Sequence, residues 1–405
     1  MGRGRIAVMI GLTGAVIVAV APPARAHITF TLDYTYDTNG FFTANPAAKA
    51  ALEQAANVYS DRLIDHLTDI TSSASNTWNM EFSNPANGNI ASIQNQTVPA
   101  DNIRVYVGGR NLGGALGFGG PGGYSNGLGD ATFISNLQYR GQAGAQGSSP
   151  TDFGRWGGSI AFDNTVQWNF GLSGPVKNKN DFLTVATHEL AHVLGFGTAQ
   201  SWYTYLTPSG ANFVGPFVGP KSVALNGGPV PLETPDPGFN AQHFNFGVMS
   251  TVGGITAQET LMDPDITVGT RKKATLLDWA GLDDIGWDLA KPGDANADGT
   301  IDFNDLVSLA QSYNVSDGQR RWSNGDFNYD GNVDFNDLVS LAQNYNTSGI
   351  QGAPAIPGAP DGFAADWSAA QAVAAGVPEP ASGAIAVALM VGGLMKRNRR
   401  IRGSS

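Results

Sequence analysis

Apolar positions recur at helical spacing in three stretches of the chain. A helix over residues 47–67 is predicted by apolar side chains three or four positions apart, namely Leu52, Ala55, Ala56, Tyr59, Leu63 and Leu67. A second helix is predicted to begin at Asn180 or Asp181, either of which can cap it, and to end near Leu194, where glycines follow. A last helix is predicted over residues 272–285.

The other segments are extended or irregular. Residues 102–107 alternate between apolar and polar side chains and predict a strand, and residues 159–170 predict a strand with turns. Residues 108–147 and 198–242 are rich in Gly, Asn or Pro and are predicted to be loops. Residues 348–376, rich in Ala, Gly and Pro, are predicted to be a linker. Helices and strands mixed in this way predict an α+β fold.

A twelve-residue pattern of oxygen-bearing side chains starts at Asp294 and again 32 positions later at Asp326. The ten residues 302–311 recur identically as residues 334–343. Side-chain oxygens stand at positions 1, 3, 5, 9 and 12 and Gly at position 6, as in a calcium loop of EF-hand type, where position 7 donates its carbonyl. The predicted calcium-binding residues are Asp294, Asn296, Asp298, Thr300, Asp302, Asp305, Asp326, Asn328, Asp330, Asn332, Asp334 and Asp337.

One apolar helix is predicted after each loop and none before it. This loop-plus-helix repeat, with Asp at position 12 where EF-hands carry Glu, resembles the dockerin module. The resemblance implies a small all-α module over residues 291–347 that binds two structural Ca²⁺ ions. Such modules dock onto a cohesin-like partner or act as calcium-stiffened spacers, and the sequence leaves both roles open.

Both ends of the chain have the patterns of targeting segments. Residues 1–26 combine Arg3 and Arg5 with a short apolar run and small residues at a cleavage site, which predicts a secretory signal peptide. Residues 377–405 place Pro-Glu-Pro before an apolar stretch and a basic cluster. This order resembles the PEP-CTERM sorting signal of bacterial envelope proteins, which a membrane-embedded sorting enzyme reads; a plain membrane anchor is the alternative. The protein is therefore predicted to be exported, to the cell envelope or the medium, with transient or permanent anchoring through this segment.

Charge and composition exclude several classes of function. The chain has 405 residues and a formal net charge of −11, and charged residues make up only 14% of it. Because phosphate binding needs clustered Lys and Arg, a nucleic-acid partner is excluded. The chain has no Cys, which excludes thiolate metal sites, catalytic thiols and disulfides.

A metal-binding pattern, His188-Glu189-Leu190-Ala191-His192, lies in the second predicted helix. Residues four apart share a helix face, so His188 and His192 can bind one Zn²⁺ at about 2.0–2.1 Å. Glu189 projects beside that face, where it can act as a general base toward a water on the metal. The pattern therefore predicts a catalytic zinc site.

A catalytic zinc site needs a third protein ligand and one open position. In the metzincin pattern a third His follows the glycine by three residues, but here that position is Thr198, and a neutral hydroxyl is a poor zinc ligand. The chain has five His, and outside the pair in the helix they are His27, His66 and His243. His27 would begin the mature chain and His66 lies late in the first predicted helix. His243 remains as a ligand, with Glu259 as the main alternative donor.

The segment from Thr184 to Leu289 resembles leishmanolysin-type metzincin proteases. The matching parts are, in order, Thr187 to Phe196, His243-Phe244, Glu259 to Pro264, and Leu276 to Trp287. The resemblance implies that His243 is the third zinc ligand and that Met262 lies in the methionine turn beneath the metal. It also implies a twisted sheet with helices and zinc-dependent cleavage of protein or peptide substrates. The disulfides of the family are absent.

These patterns predict a signal peptide (1–26), a metzincin-like zinc protease domain (27–290), a dockerin-like module (291–347), a linker (348–376) and a sorting segment (377–405). The predicted function is an exported zinc metalloendopeptidase with one catalytic Zn²⁺. The alternative is a calcium-dependent envelope adhesion or scaffold protein whose protease domain is inactive. An assay for cleavage of a peptide bond distinguishes the endopeptidase from the inactive scaffold protein.

Overall fold

The computed structural model describes residues 27–206, 215–233, 241–345, 356 and 358–376. Its mixture of helices and sheets confirms the α+β fold class. The predicted signal peptide and the predicted sorting segment lie outside these residues. In the part of the chain that is described, no helix is long and apolar enough to cross a membrane.

Strands and helices are numbered in chain order. The strands are β1 (Thr29–Asp33), β2 (Thr77–Ser83), β3 (Ile90–Gln94), β4 (Asn102–Arg110), β5 (Gly117–Pro121), β6 (Gly123–Leu128), β7 (Gly157–Asp163), β8 (Trp168–Asn169), β9 (Asn180–Asp181), β10 (Met249–Val252) and β11 (Thr256–Glu259). The helices are α1 (Phe41–Ala44), α2 (Pro46–Ser60), α3 (Ala131–Tyr139), α4 (Phe182–Val193), α5 (Gln200–Thr204), α6 (Pro220–Asn226), α7 (Leu276–Asp284), α8 (Phe303–Ser312), α9 (Phe335–Asn344) and α10 (Phe363–Gly376). Short 3₁₀ helices lie at Ala143–Ala145 and Trp322–Asn324.

The main sheet has four strands in the order β1-β4-β7-β5. β1, β4 and β7 are parallel, and β5 pairs antiparallel with β7 at the edge, with Gly117 opposite Phe162. Nearly every residue of the central strands β4 and β7 is buried, as expected for strands covered on both faces. In the second sheet, β3-β2-β6, alternate residues of β2 are buried, which are Trp78, Met80 and Phe82.

Helices α2 and α4 pack against each other and against the main sheet. α2 has Pro46 in its first turn and buries Ala48 and Leu52 on its apolar face. α4 is buried on almost all sides, and the carboxylate of its N-cap residue Asp181 accepts a hydrogen bond from the Thr184 N–H at 3.0 Å. The start of α4 is therefore fixed by its own sequence.

Contacts with residues outside the helix restrain both ends of α4. Arg271 forms a salt bridge of 2.8 Å with the fully buried Asp181. At the other end Gly195 has a φ of 99°, in the left-handed region, where a Cβ would come within about 3 Å of Ala199 and Phe153. The zinc-binding pattern thus lies on a helix of fixed length and position.

Two predictions for the N-terminal half were wrong in part. The first helix ends at Ser60 instead of near residue 67, because the chain turns there and Leu63 forms a bridge with Leu289. Residues 108–147, predicted as loops, contain β5, β6 and α3. Glycine-rich segments have little intrinsic preference for extended structure, so β5 and β6 are strands because they pair with β7 and β2.

Two later segments also differ from the prediction. The region 198–242, predicted as irregular, contains the short helices α5 and α6. The last helix of the domain, α7, begins at Leu276 and not at residue 272. A capping box formed by Thr275 and Asp278 fixes this start.

The repeat module has a hydrophobic core of its own. Leu306 and Leu309 of α8 and Leu338 and Leu341 of α9 are buried in it around Trp322. Each of these helices begins after the Asp at position 9 of its loop, which is the N-cap residue. In the described residues no α-helix leads into either loop, and only the short 3₁₀ helix Trp322–Asn324 lies directly before the second one.

The prediction of a linker over residues 348–376 was wrong for the second half of that segment. Residues 363–376 form α10, which packs on α9. The side chains of Phe363, Trp367 and Ala370 lie four and three residues apart and are buried in the core of the module. The Gly and Pro residues that precede the helix concealed this pattern, and the module extends to the end of α10.

Replacing Trp367 with Ala is expected to destabilise the repeat module by about 3–5 kcal/mol, because the buried ring leaves a cavity. Val373→Ala on the same helix is the control, since Val373 is 46% exposed, and its effect should stay within about 0.5 kcal/mol. Urea unfolding followed by far-UV circular dichroism measures both. Equal unfolding midpoints for the two variants would show that α10 is not part of the module core.

Candidate metal centre

Three histidine side chains meet at the surface of α4 that faces the segment 241–245. His188 and His192 lie one helical turn apart on α4, and His243 approaches from that segment. The Nε2 atoms of His188 and His192 are 3.1 Å apart, and the His243 Nε2 is 3.1 Å from the first and 2.9 Å from the second. The structure thus brings together the three histidines that the sequence proposed as zinc ligands.

The opposite nitrogen of each ring is engaged by an oxygen. His188 Nδ1 lies 2.9 Å from the Leu261 carbonyl, and His192 Nδ1 lies 2.8 Å from the Phe196 carbonyl. His243 Nδ1 lies 2.6 Å from Glu233 Oε1. A carbonyl or an ionised carboxylate can only accept a hydrogen bond, so each Nδ1 carries a proton, and in a neutral ring with this tautomer Nε2 keeps its lone pair.

The surroundings of His188 and His192 keep these two histidines in the neutral form that binds metals. Burial, with a smaller contribution from the nearby His243, lowers the pKa of His188 to about 3. Burial likewise lowers the pKa of His192 well below its ordinary value, again with a contribution from His243. Burial alone would raise the pKa of Glu233, but its hydrogen bond to His243 brings that pKa below the usual range.

Three lone pairs pointing at one another repel unless a cation lies between them, so the donor set fits a metal ion. Ligand nitrogens at about 2.0–2.1 Å from a tetrahedral Zn²⁺ are about 3.3 Å apart, close to the distances found here. His188 and His243 line a cleft of about 420 Å³ together with Gly117, Glu189 and Ile266, so an ion held by the histidines would be accessible from this cleft. Among the described residues no other group of His, Cys, Asp or Glu converges this closely.

Glu189 lies beneath the edge strand β5. It is only 6% exposed, and burial raises its pKa to about 8. A hydrogen bond from the Gly119 N–H acts in the opposite direction but does not offset the effect of burial. A Cβ on Gly117 would overlap the Glu189 carboxylate, and a Cβ on Gly119 would overlap the backbone carbonyl of Glu189. Glycine at these two positions therefore lets the strand lie directly against the carboxylate.

A second layer of contacts fixes the oxygen to which His188 donates. The buried carboxylate of Asp278 on α7 accepts hydrogen bonds from the Leu261 N–H at 2.9 Å and the Met262 N–H at 3.0 Å. The Met262 carbonyl in turn accepts a hydrogen bond from the Phe244 N–H at 3.0 Å, next to the ligand His243. Met262 is fully buried within this turn. The turn thus connects the backbone around two of the three histidines.

The structure also places the other residues considered as ligands. The Thr198 hydroxyl donates to the His192 carbonyl at 2.8 Å, and Glu259 lies 3.1 Å from Lys272 Nζ, so neither belongs to the histidine group. Glu233 and Asp278 support the histidine site, and the sequence did not predict this role for either residue. Asp278 stood within the motif that resembles the protease family, whereas no spacing pattern pointed to Glu233.

The two calcium-type loops have nearly the same backbone conformation. Gly299 and Gly331 at position 6 have φ values of 80° and 88°, in the left-handed region that the turn requires. The Asp side chains at positions 1 and 12 of both loops are almost completely buried, which are Asp294, Asp305, Asp326 and Asp337. They accept hydrogen bonds from loop amides, for example Asp294 from the Gly299 N–H at 2.9 Å.

Burial is the main cause of raised pKa values in these four carboxyl groups. The pKa of Asp294 rises to about 7, that of Asp305 to about 6, that of Asp326 to about 8 and that of Asp337 to about 7. Repulsion between neighbouring carboxylates of the same loop adds to each shift. Buried carboxyl groups that repel one another are suited to a cation, although in the described residues they do not converge as closely as the histidine nitrogens.

Comparisons of the chain with protein-family models, with curated proteins and with solved structures found no match.

His243→Ala removes one of three nitrogen donors and is expected to weaken zinc binding by more than about 100-fold. Thr198→Ala is the matched control, because its hydroxyl faces the His192 carbonyl and not the histidine group. Isothermal titration of the metal-free variants with Zn²⁺ measures both affinities. Loss of zinc binding in Thr198→Ala together with retention in His243→Ala would overturn the ligand assignment.

Proposed function

We propose that the protein is a zinc-dependent endopeptidase that uses His188, His192 and His243 as ligands and Glu189 as general base. The observation that carries the proposal is the convergence of the three histidine Nε2 atoms within 3.1 Å of one another, next to the buried Glu189. The resemblance of the segment 184–289 to leishmanolysin-type metzincins supports the same reading. One site of this kind suffices for peptide hydrolysis.

A Zn²⁺ ion bound there supplies Lewis-acid polarisation of the scissile carbonyl and a water of lowered pKa. Glu189 lines the same cleft as His188 and His243, so it would be the group that accepts a proton from the attacking water and returns it to the leaving nitrogen. The Gly119 N–H holds the carboxylate in one orientation. The three Nδ1 contacts keep the imidazole planes in place throughout.

The edge of the main sheet offers a way to bind an extended peptide. β5 pairs with β7 along one side, and in the described residues no strand pairs with its other side. An extended substrate can add to such an edge through main-chain hydrogen bonds that are independent of its side chains. Because β5 borders Glu189 and the histidine cleft, a peptide bound there would place a carbonyl close to the metal.

The proposed setting is outside the cytoplasm. The signal-peptide pattern over residues 1–26 and the sorting pattern over 377–405 support export to the cell envelope or the medium. Protein or peptide chains in that compartment are the proposed substrates.

Glu189→Gln is expected to keep zinc binding and to lower the cleavage of casein by about 10²–10⁴-fold, because it removes only the base. The full chain and the variant are loaded with one equivalent of Zn²⁺, and release of acid-soluble peptides is followed. Glu259→Gln, outside the histidine group, serves as the control and should keep full activity. Wild-type protein that binds zinc and cleaves no protein substrate would favour the scaffold alternative.

We also propose that the two repeat loops bind structural calcium. The support is the pair of loops with like backbone, each with buried carboxyl groups at positions 1 and 12. Their resemblance to dockerin loops agrees with this chemistry. Binding of the module to a cohesin-like partner is a separate proposal, and it rests on that resemblance alone.

Without calcium, the module is expected to lose stability as the pH rises from about 4 to 8. The folded-state pKa values of Asp294, Asp326 and Asp337 are raised to about 7, 8 and 7, so the folded module holds protons that the unfolded chain releases. The stabilisation is complete below the ordinary Asp pKa and is lost as the pH passes the raised values. Thermal melting in EGTA measures the loss, and millimolar Ca²⁺ should abolish it. A flat pH profile in EGTA would contradict the proposal.

A further inference from the structure

The second calcium-type loop contacts the domain that carries the histidines. Tyr329, at position 4 of that loop, packs against the hydrophobic cores of both the protease-like domain and the repeat module. Its ring stacks on Trp279 of α7 with a centroid distance of 6.1 Å and an interplanar angle of 14°, and it lies 5.5 Å from Trp322 of the module. The guanidinium of Arg62 lies over Trp279 and Trp322 at 4.5 and 4.7 Å.

Tyr329 distinguishes two loops that are otherwise alike. The equivalent position of the first loop is Ala297, and both residues have a left-handed backbone, with φ values of 53° for Ala297 and 57° for Tyr329. The loop conformation therefore does not need an aromatic ring at position 4. A left-handed backbone is unfavourable for a bulky residue, which suggests that the ring serves the contact outside the loop.

Further contacts hold the loop in this orientation. Lys273 Nζ donates a hydrogen bond to the Tyr329 carbonyl, and a Cβ on Gly253 would overlap the backbone of Asn328. At the margin of the interface Arg321 and Asp61 form a salt bridge of 2.6 Å. The loop is thus fixed against the β10–β11 hairpin and the start of α7.

Two short routes lead from Trp279 to His188. On α7 the preceding residue, Asp278, holds the turn whose Leu261 carbonyl accepts the hydrogen bond from His188. On the other side Tyr59 contacts the Trp279 ring edge-on at 5.6 Å and donates its hydroxyl to the Thr187 carbonyl at 2.7 Å. The first route ends at the imidazole of His188, and the second ends at the carbonyl of Thr187, the residue before it.

We propose that Tyr329 is a positioning residue for the metal centre, and that the repeat module is a structural part of the catalytic unit. The inference rests on the proposed zinc site. Through Trp279, the module restrains the helix α7 and the turn that orient His188. Binding of Ca²⁺ to the second loop therefore affects the geometry of the histidine site, and a metal bound at the histidine site affects the affinity of the second loop for Ca²⁺.

The test uses the full chain with Co²⁺ in place of zinc, because the visible absorption of Co²⁺ reports the geometry of its ligands. Tyr329→Ala, which copies the first loop, is expected to change the Co²⁺ spectrum at saturation and to weaken Co²⁺ binding by about 2- to 30-fold. Tyr329→Phe keeps the ring and should restore the wild-type spectrum. Tyr345→Ala is the matched control, since Tyr345 is also buried in the module but packs on Trp367, at 5.2 Å.

A wild-type spectrum and affinity in Tyr329→Ala would overturn the inference, and so would equal changes in Tyr329→Ala and Tyr345→Ala, which would indicate general destabilisation. Wild-type protein that binds no Co²⁺ would overturn it as well. If the wild type binds Co²⁺ with the expected spectrum and the zinc form cleaves no casein, the proposed endopeptidase function fails. The positioning role of Tyr329 is then still decided by the spectra.

Discussion

The repulsion between three imidazole lone pairs is the constraint on which the centre of this structure depends. His188, His192 and His243 present unprotonated nitrogens to a common point, because the far side of each ring is committed to an oxygen acceptor. Such an arrangement is unfavourable unless a cation neutralises it. The surrounding fold must therefore hold the rings together in the metal-free chain, and burial keeps His188 and His192 neutral there.

The parts that hold the rings come from widely separated segments. The Phe196 carbonyl follows α4 directly, the Leu261 carbonyl belongs to a turn fixed by Asp278, and Glu233 lies in a third segment. The glycine-rich strand β5 supplies the opposite wall and lets the Glu189 carboxylate lie against the backbone. No one element builds the site, and each is held by packing against the same core.

Sequence reasoning found the parts of the site that depend on local periodicity. A helix places His188 and His192 four residues apart, and Asp181 marks its start, so both could be predicted. His243 required the elimination of other histidines and a family resemblance, because no local rule connects it to α4. Strand β5 and the contact from Glu233 could not be predicted, since pairing and proximity in space create them. The helix α10 was missed because the Gly and Pro residues that precede it made the whole segment resemble a linker, although Ala, a strong helix former, dominates the helix itself.

The interface between the two cores joins residues far apart along the chain, since Asp61 and Arg321 are separated by 260 positions. A chain that emerges from its amino end exposes α2 and the histidine helix long before residues 321–329 follow. The partners that brace α7 are then missing from the nascent protein, and long-range contacts of this kind form late. The order of emergence itself would delay full assembly of the cleft until the carboxyl-terminal module has folded, so that the histidine site would be complete only after the whole chain has been synthesised.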